Sequence, residues 1–306
     1  MKILMIRHAQ SSNNEIYQQL REKQSYPSPG TSKWLDMNRE FERRRSSNPE
    51  ISSLGVKQVD RLSSMIDSYI PPSLLPPRTS NPNNGDSGEN EEQDDSDSAS
   101  ASSPTTTTSI GSDRKSAAGL PRLRLYVSPM LRAMLTAMPV IESLGLERKS
   151  VFCNPELYEV GGMYKEENGR FVPSEGWATA EFEKHFPGKV TFPDAMKDGW
   201  YRGHSKETLA EALKRANKVA EWLWHMAGSG SADLVILVAH ADLLDLLIKS
   251  ITGTHDNPLI RFFHHNTGVS MLTIASSAPA GQTRRVSIDW INRLDHLVGQ
   301  NTLFSW

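Results

Sequence analysis

The sequence predicts an α/β fold, a three-layer sandwich in which a mostly parallel central sheet has helices on both faces. Three short apolar runs support this prediction, at residues 2–6, 123–127 and 234–238. Each has the length and composition of a buried strand. A polar residue and then a helical pattern follow each run at once, which is the strand–helix order of a parallel sheet. Two later runs, 269–275 and 285–291, are predicted to close the sheet.

Four helices are predicted between these strands. Residues 56–70 place their apolar side chains on one helical face. Ser128-Pro129 has the form of an N-cap followed by proline at the first helical position, and it opens a helix toward Leu144 that Pro139 should kink or shorten. Ser205, with Glu207 and Thr208, is expected to cap a long helix through Met226. The last predicted helix spans residues 242–251.

One tract differs in composition from the rest of the chain. Residues 78–119 are rich in Ser, Asn, Asp, Glu and Thr and contain almost no apolar side chains. The tract has eight acidic and three basic residues, a net charge of −5, so the remaining residues carry about +3 of the total of −2. We interpret residues 1–306 as a single domain that contains this tract as a disordered acidic insertion, since the strand after it belongs to the same sheet.

The overall charge and cysteine content narrow the class of protein. A net charge of −2 and a pI of about 6.5 provide no basic surplus for nucleic acids or anionic membranes, so neither is expected as a partner. The apolar stretch 234–248 is interrupted by His240, Asp242 and Asp245 and is a poor membrane span. The single cysteine, Cys153, has no partner for an internal disulfide. These features predict a cytoplasmic protein.

The residues that follow the predicted strands indicate the chemistry. Open parallel sheets bind ligands in the crevice outside the carboxyl ends of their strands. Arg7-His8 follows the first strand, Ser128 and Arg132 follow the second, and His240 follows the third. Two arginines and two histidines at one crevice would form a cationic pocket of phosphate size, because the guanidinium fork matches phosphate oxygens.

The sequence around these residues resembles the histidine phosphatase superfamily, the phosphoglycerate mutase-like and acid phosphatase group. The run from Arg7 to Asn14 is similar to the family's Arg-His-Gly motif, and residues 128–137 resemble its Ser-Pro-x-x-Arg-Ala-x-x-Thr-Ala helix. Val238-Ala239-His240 resembles the second histidine motif, and Leu54-Gly55-x-x-Gln58 the first crossover helix. The resemblance runs from Lys2 to about Leu272, apart from the insertion, and it implies a phosphoglycerate mutase-like fold.

The resemblance implies a reaction through a phosphohistidine. His8 would attack phosphorus as a neutral imidazole, while Arg7, Arg132 and His240 hold the phosphoryl oxygens. Ser11 and Asn14 match family positions that line the phosphate and substrate entrance. A carboxylic acid of raised pKa would protonate the leaving oxygen and then activate water. Glu159 matches the family's Leu-x-Glu segment and is the preferred candidate for this acid, with Glu156 as the alternative.

The predicted activity is hydrolysis of a phosphate monoester, a small molecule or a phosphorylated protein, without a metal or organic cofactor. Ala9 stands where the family usually has glycine. The mutase's Glu-Arg-His-Tyr-Gly run and paired arginines are not found, which argues against an efficient mutase. Two other functions remain open, a phosphoryl-transferring isomerase and an inactive phospho-ligand binding or scaffold protein. His255, His264 and His265 lack a recognised metal-ligand spacing and are interpreted as packing or solvent-facing residues.

Overall fold

A computed structural model of the chain describes residues 1–76, 120–203, 205–255, 257, 259–276 and 284–305. The predicted acidic insertion at residues 78–119 lies outside the described residues. The strands are β1 (Lys2–Arg7), β2 (Leu123–Val127), β3 (Val151–Cys153), β4 (Tyr164–Glu167), β5 (Arg170–Pro173), β6 (Leu234–Ala239), β7 (Val269–Ser276) and β8 (Arg284–Arg293). The α-helices are α1 (Ser12–Lys23), α2 (Ser32–Arg44), α3 (Ser53–Met65), α4 (Leu131–Ser143), α5 (Thr179–His185), α6 (Leu209–Ser229) and α7 (Ala241–Thr252).

The central sheet confirms the predicted mostly parallel arrangement. Within the described residues it has six strands in the order β3-β2-β6-β1-β7-β8. Strands β3, β2, β6 and β1 are parallel to one another, whereas β7 pairs antiparallel with β1 and β8 pairs antiparallel with β7. The three strands predicted from their apolar runs are therefore adjacent at the centre of the sheet. Strands β4 and β5 form a separate hairpin.

Helices cover both faces of this sheet, as the sequence predicts. Side chains alternate between the two faces of a strand, so Leu4 and Ile6 of β1 pack into a core with α3 and α4. Ile3 and Met5 point the other way, into a second core with α6 and α7. The fold is thus the predicted three-layer α/β sandwich. Among the described residues, no helix combines the length and apolar character needed to cross a bilayer.

The helix starts differ from the sequence predictions in two places. Ser128 does not cap α4, because this helix begins at Leu131 with Met130 as its N-cap, and Pro139 lies inside the helix without ending it. The Ser128 hydroxyl accepts from the backbone N–H of Met130 at 3.3 Å and lies 2.8 Å from a histidine nitrogen. Helix α6 is capped by Thr208, one of the residues expected there, whose hydroxyl accepts a hydrogen bond from the backbone N–H of Glu211, whereas Ser205 is not the cap. Helix α2, strand β3, the β4–β5 hairpin and helix α5 were not predicted.

Candidate active site

The strand register brings the two predicted site histidines together. Arg7 is paired with Ala239 across β1 and β6, so the residues that follow these two positions leave the sheet side by side. The backbone N–H of His8 donates to the Ala239 carbonyl at 2.9 Å. The imidazole rings of His8 and His240 lie 5.0 Å apart, centroid to centroid, and both side chains are buried. The structure therefore places both histidines at the carboxyl edge of the sheet.

The hydrogen bonds of His8 fix the position of its lone pair. Nδ1 lies 2.6 Å from the carbonyl oxygen of Ala9, and a carbonyl can only accept, so Nδ1 carries the proton. Nε2 then bears the lone pair, and it accepts a hydrogen bond from Nε of Arg132 at 3.1 Å. Ala9 is buried and does not have a positive φ, so alanine is tolerated where glycine is usual in the family.

Burial keeps both imidazoles neutral. It is the main cause that lowers the pKa of His8 well below the ordinary histidine value, and the charges of Arg132 and Arg7 lower it further. The pKa of His240 is lowered in the same direction by burial and by Arg132. A neutral His8 retains the lone pair that nucleophilic attack requires.

His240 is the N-cap residue of α7, and its ring is held by the residue that follows β2. Nε2 of His240 lies 2.8 Å from the hydroxyl oxygen of Ser128. Nδ1 of His240 is buried without a hydrogen-bond partner among the described residues. When the Ser128 hydroxyl donates to Nε2, the proton of the neutral ring is on Nδ1. Nδ1 then becomes a buried donor that can bind an oxygen of a ligand.

Two arginines supply the positive charge of the site. Arg7 donates from Nη1 to the His264 carbonyl at 2.6 Å, and its buried Nε has no partner among the described residues. Arg132 lies in the first turn of α4 and contacts His8. Burial lowers the pKa of Arg7 to about 10 and that of Arg132 to about 10, while the carboxylate of Glu159 opposes both shifts. Both guanidinium groups therefore remain charged at neutral pH.

Glu159 lies within the electrostatic reach of this cluster. Its Oε1 accepts hydrogen bonds from the backbone N–H of Val160 at 2.9 Å and from that of Leu243, in the first turn of α7, at 3.2 Å. Burial and the charge of Asp242 raise the pKa of Glu159 to about 7, against the opposing effect of Arg132 and Arg7. A carboxyl group with this pKa can both donate and accept a proton near neutral pH.

Glu156, the alternative acid, faces another part of the molecule. Its carboxylate forms an ion pair with Lys218 of α6 at 2.6 Å. Its backbone carbonyl accepts a hydrogen bond from Nη1 of Arg215. Neither contact involves the histidine and arginine cluster.

Ser11 and Asn14 lie just after His8, but their observed hydrogen bonds are those of a helix cap. The Ser11 hydroxyl accepts from the backbone N–H of Asn14 at 3.3 Å and donates to Oδ1 of Asn14 at 2.8 Å. Oδ1 of Asn14 also accepts from the backbone N–H of Ser11. This capping box starts α1. A role of either side chain in substrate binding stays a prediction.

The structure also reveals supporting residues to which the sequence analysis gave no role. Nδ2 of Asn266 donates to the His8 carbonyl at 3.0 Å, and the Thr136 hydroxyl accepts from the backbone N–H of Ala9 at 3.0 Å. Oε1 of Gln58 accepts from the backbone N–H of Gln10 at 2.8 Å, while its Nε2 donates to Ser305. Both Gln58 and Thr136 stand inside the family-like motifs, so those motifs could have indicated them.

The histidines outside the cluster are held by other contacts. Nε2 of His264 lies 2.7 Å from the Ser270 hydroxyl, and burial lowers the pKa of His264 to about 4. Nδ1 of His265 lies 2.8 Å from Nδ2 of Asn292. Across the described residues, no group of three or more His, Cys, Asp or Glu side chains is arranged to hold a metal ion.

Comparison with solved structures finds similar phosphatases at low sequence identity. The native structure of a mycobacterial glucosyl-3-phosphoglycerate phosphatase is 16% identical with a TM-score of 0.46, over 96% of this chain and 99% of that chain. The ecdysone phosphate phosphatase of Bombix mori, in complex with tungstate, is 11% identical with a TM-score of 0.48, over 96% and 94%. A phosphoserine phosphatase of Entamoeba histolytica is 14% identical with a TM-score of 0.41, over 97% and 99%.

The family is established by a sequence model rather than by these structures. No curated protein matches the chain. The model of the histidine phosphatase superfamily (branch 1) matches residues 114–285, more than half of the 306 residues. This range contains Arg132, Glu159 and His240, whereas Arg7 and His8 precede it and are brought to the same site by the sheet. The chain belongs to the histidine phosphatase superfamily, branch 1.

Proposed function

We propose that this protein hydrolyses phosphate monoesters through a phosphohistidine formed on Nε2 of His8. The observation that carries the proposal is the pair of hydrogen bonds on the His8 ring. Nδ1 is bonded to the Ala9 carbonyl at 2.6 Å, and Nε2 faces Nε of Arg132 at 3.1 Å. The lone pair of a neutral imidazole is thereby directed at the guanidinium group that would hold a phosphoryl oxygen.

The first chemical step transfers the phosphoryl group to His8. Nε2 attacks phosphorus and forms an N–P bond as the P–O bond to the leaving group breaks. Arg7, Arg132 and His240 would bind the non-bridging oxygens and stabilise their charge in the transition state. The protonated carboxyl of Glu159 donates its proton to the leaving oxygen, so the leaving group departs as a neutral alcohol.

The second step releases inorganic phosphate. The carboxylate of Glu159 accepts a proton from water while the water oxygen attacks phosphorus. The N–P bond then breaks, and its electron pair returns to Nε2 of His8. A pKa of about 7 suits Glu159 to both roles, because each protonation state is well populated near neutral pH.

The substrate is proposed as a phosphate monoester of a small molecule or of a phosphorylated protein, and the cytoplasm as the location. The observations that support this substrate class are local. Two buried guanidinium groups and two neutral imidazoles meet at one edge of the sheet, although the chain as a whole carries a net charge of −2. Such a pocket fits a single phosphoryl group and leaves the rest of the substrate to surrounding residues.

The test is a screen of phosphorylated metabolites and phosphopeptides with the wild type beside His8→Ala and His225→Ala. His225 is an exposed histidine of α6 and serves as the matched control. We expect phosphate release by the wild type and by His225→Ala, and a loss of at least about a thousandfold in His8→Ala. Equal phosphate release from all three proteins would contradict the assignment of His8 as nucleophile.

The same screen separates the two alternative functions. A mutase-type isomerase would retain the phosphoryl group in the organic pool, so product analysis would show an isomeric ester in place of inorganic phosphate. A binding or scaffold protein would bind phosphate esters and turn over none of them. Either result would replace the hydrolase proposal.

A further inference from the structure

The loop between α2 and α3 is held against the start of the two helices that flank the His8 site. Ser46 and Asn13 exchange hydrogen bonds, from Nδ2 of Asn13 to the Ser46 carbonyl at 2.8 Å and from the Ser46 N–H to Oδ1 of Asn13 at 2.9 Å. Oδ1 of Asn48 accepts from the backbone N–H of Leu131, the residue before Arg132, at 2.9 Å. The loop therefore lies beside the phosphate-binding residues.

This loop and the end of α2 contain buried donors without acceptors. Nε and Nη1 of Arg45 and Nδ2 of Asn48 are buried and make no hydrogen bond within the described residues. Oδ1 of Asn48 accepts from Leu131, so Nδ2 is the group of this side chain that lacks a partner in the described part of the chain. A buried donor without an acceptor destabilises the folded protein. Nη1 of Arg45 is ion-paired with Glu42. Nε of Arg45 and Nδ2 of Asn48 lie beside a phosphate site, which indicates that an acceptor from a ligand completes them.

Neighbouring groups hold Arg45 in place without filling its hydrogen-bonding sites. Its guanidinium lies over the ring of Tyr164, 4.1 Å from the centroid. Oε2 of Glu42, which is also buried without a hydrogen bond among the described residues, lies 3.6 Å from Nη1 and forms an ion pair with it. The other oxygen of Glu42 accepts from the Tyr164 hydroxyl and from Lys206, both at 3.0 Å. Arg45 is thus oriented by stacking and charge, while its Nε remains available for a ligand.

The charge of Arg45 acts on the phosphate-binding residues directly. Arg45 lowers the pKa of Arg132, in addition to the larger effect of burial and against the effect of Glu159. The two positive charges repel each other, and an anion bound at Arg45 offsets that repulsion. A guanidinium also binds a carboxylate or phosphate through two parallel hydrogen bonds.

We propose that Arg45 and Asn48 form a second subsite, which binds an anionic oxygen group on the substrate. The inference rests on the proposed function and narrows its substrate class to monoesters whose alcohol carries a carboxylate or a second phosphate. Arg45 supplies the charge and the fork of donors, and Asn48 supplies an additional amide donor. Both are specificity-determining residues and take no part in the transfer of the phosphoryl group.

The test measures binding, so that it does not depend on turnover. The probes are benzylphosphonates that carry a carboxylate, a second phosphonomethyl group or a neutral carboxamide on the ring, titrated calorimetrically into the full chain. We expect the wild type to bind one or both anionic probes about tenfold to a hundredfold more tightly than the carboxamide. The carboxylate and bisphosphonate arms distinguish the two kinds of anionic group.

The variants are Arg45→Gln, Arg45→Lys and the control Arg43→Gln. Arg43 lies on the same helix but is exposed and paired with Glu40. Arg45→Gln should still bind the carboxamide, but its preference for anionic probes should fall to less than about threefold. Arg45→Lys should restore part of this preference, because lysine keeps the charge. The control Arg43→Gln should retain the wild-type preference. Retained affinity for the carboxamide also shows that Arg45→Gln is folded.

Three results would overturn the subsite: equal affinity of the wild type for charged and neutral probes, an unchanged preference in Arg45→Gln, or no binding of any anionic probe. Its failure is distinguishable from failure of the proposed function. A protein with the expected preference that releases no phosphate from any ester would disprove the hydrolase and leave the subsite standing. A protein that releases phosphate but binds charged and neutral probes equally would support the hydrolase and disprove the subsite.

Discussion

Nε of Arg132 donates a hydrogen bond to Nε2 of His8, 3.1 Å away, although 124 positions separate the two residues in the chain. The contact joins the proposed nucleophile to a cation that would bind the phosphoryl group. It exists because β1 and β2 both adjoin β6 and are parallel to it, so the segments that follow them leave the sheet at the same edge.

Arg132→Lys should lower kcat/KM for phosphate monoesters by about a hundredfold to a thousandfold. Lysine keeps the charge but loses the planar fork that can contact His8 and a phosphoryl oxygen together. Steady-state phosphate release measures the effect. The control is Arg148→Lys, at an exposed arginine paired with Glu183. Full activity in Arg132→Lys would exclude a role for the fork.

The pH dependence of the reaction should reflect Glu159. Because its pKa is raised to about 7, the acid form needed by the first step is lost above that pH, and kcat/KM for alkyl phosphates should fall about tenfold per pH unit there. Glu159→Gln should lower kcat/KM by about a hundredfold or more and abolish this alkaline decline. Glu156→Gln, at the glutamate paired with Lys218, should keep the wild-type profile. If Glu156→Gln lost the alkaline decline and Glu159→Gln retained it, Glu156 would be the acid.

Glu159 should also make stability depend on pH. Its folded-state pKa of about 7 is raised above the ordinary 4.5, so folding favours the protonated form. This stability is present in full below about pH 4.5 and is lost as the pH rises through about 7. Relative to Glu159→Gln, the wild type should therefore lose on the order of 3 kcal/mol of unfolding free energy between pH 4 and pH 8. Urea unfolding at both pH values measures this difference, and parallel curves for the two proteins would contradict the raised pKa.

Gly55 should not tolerate a side chain. A Cβ at this position would lie 2.2 Å from the carbonyl oxygen of Gln10, which is two residues after His8. Gly55→Ala should destabilise the fold by about 1–3 kcal/mol, despite the higher helix propensity of alanine, and should lower kcat by displacing the segment that contains His8. Ser53→Ala, at an exposed position in the same helix, is the control for thermal unfolding and for turnover. Unchanged stability and kcat in Gly55→Ala would show that the close approach has no energetic consequence.

The sequence was most informative where local pattern decides structure. The apolar runs of β1 and β6 are almost fully buried, and a strand buried on both faces produces the continuous run by which it is predicted. In β2, buried residues alternate with half-buried ones. The motifs that contain Arg7, His8, Arg132 and His240 follow these strands directly. Because parallel strands end at the same edge, their convergence also followed from the sequence.

Local pattern was less informative where a side chain has two available partners. Ser128-Pro129 has the composition of a helix start, yet the Ser128 hydroxyl bonds to His240, because β2 and β6 place the two residues side by side. Helix α2 was not predicted, and its mean hydropathy is low, with Met37 as its one buried residue. A helix that buries so few side chains lacks the apolar residues from which a core-facing helix is predicted.

The sequence alone determined the class of sheet, the order of the strand-end residues and the family of this protein, since these depend on strand periodicity and on short motifs. Only the tertiary structure decided that Glu159 faces the arginines while Glu156 pairs with Lys218, and that Arg45 and Asn48 lie beside Arg132. The physical reason is that these relationships are distances between segments far apart in the chain. Such distances depend on how helices and loops pack against the sheet, which local periodicity does not encode.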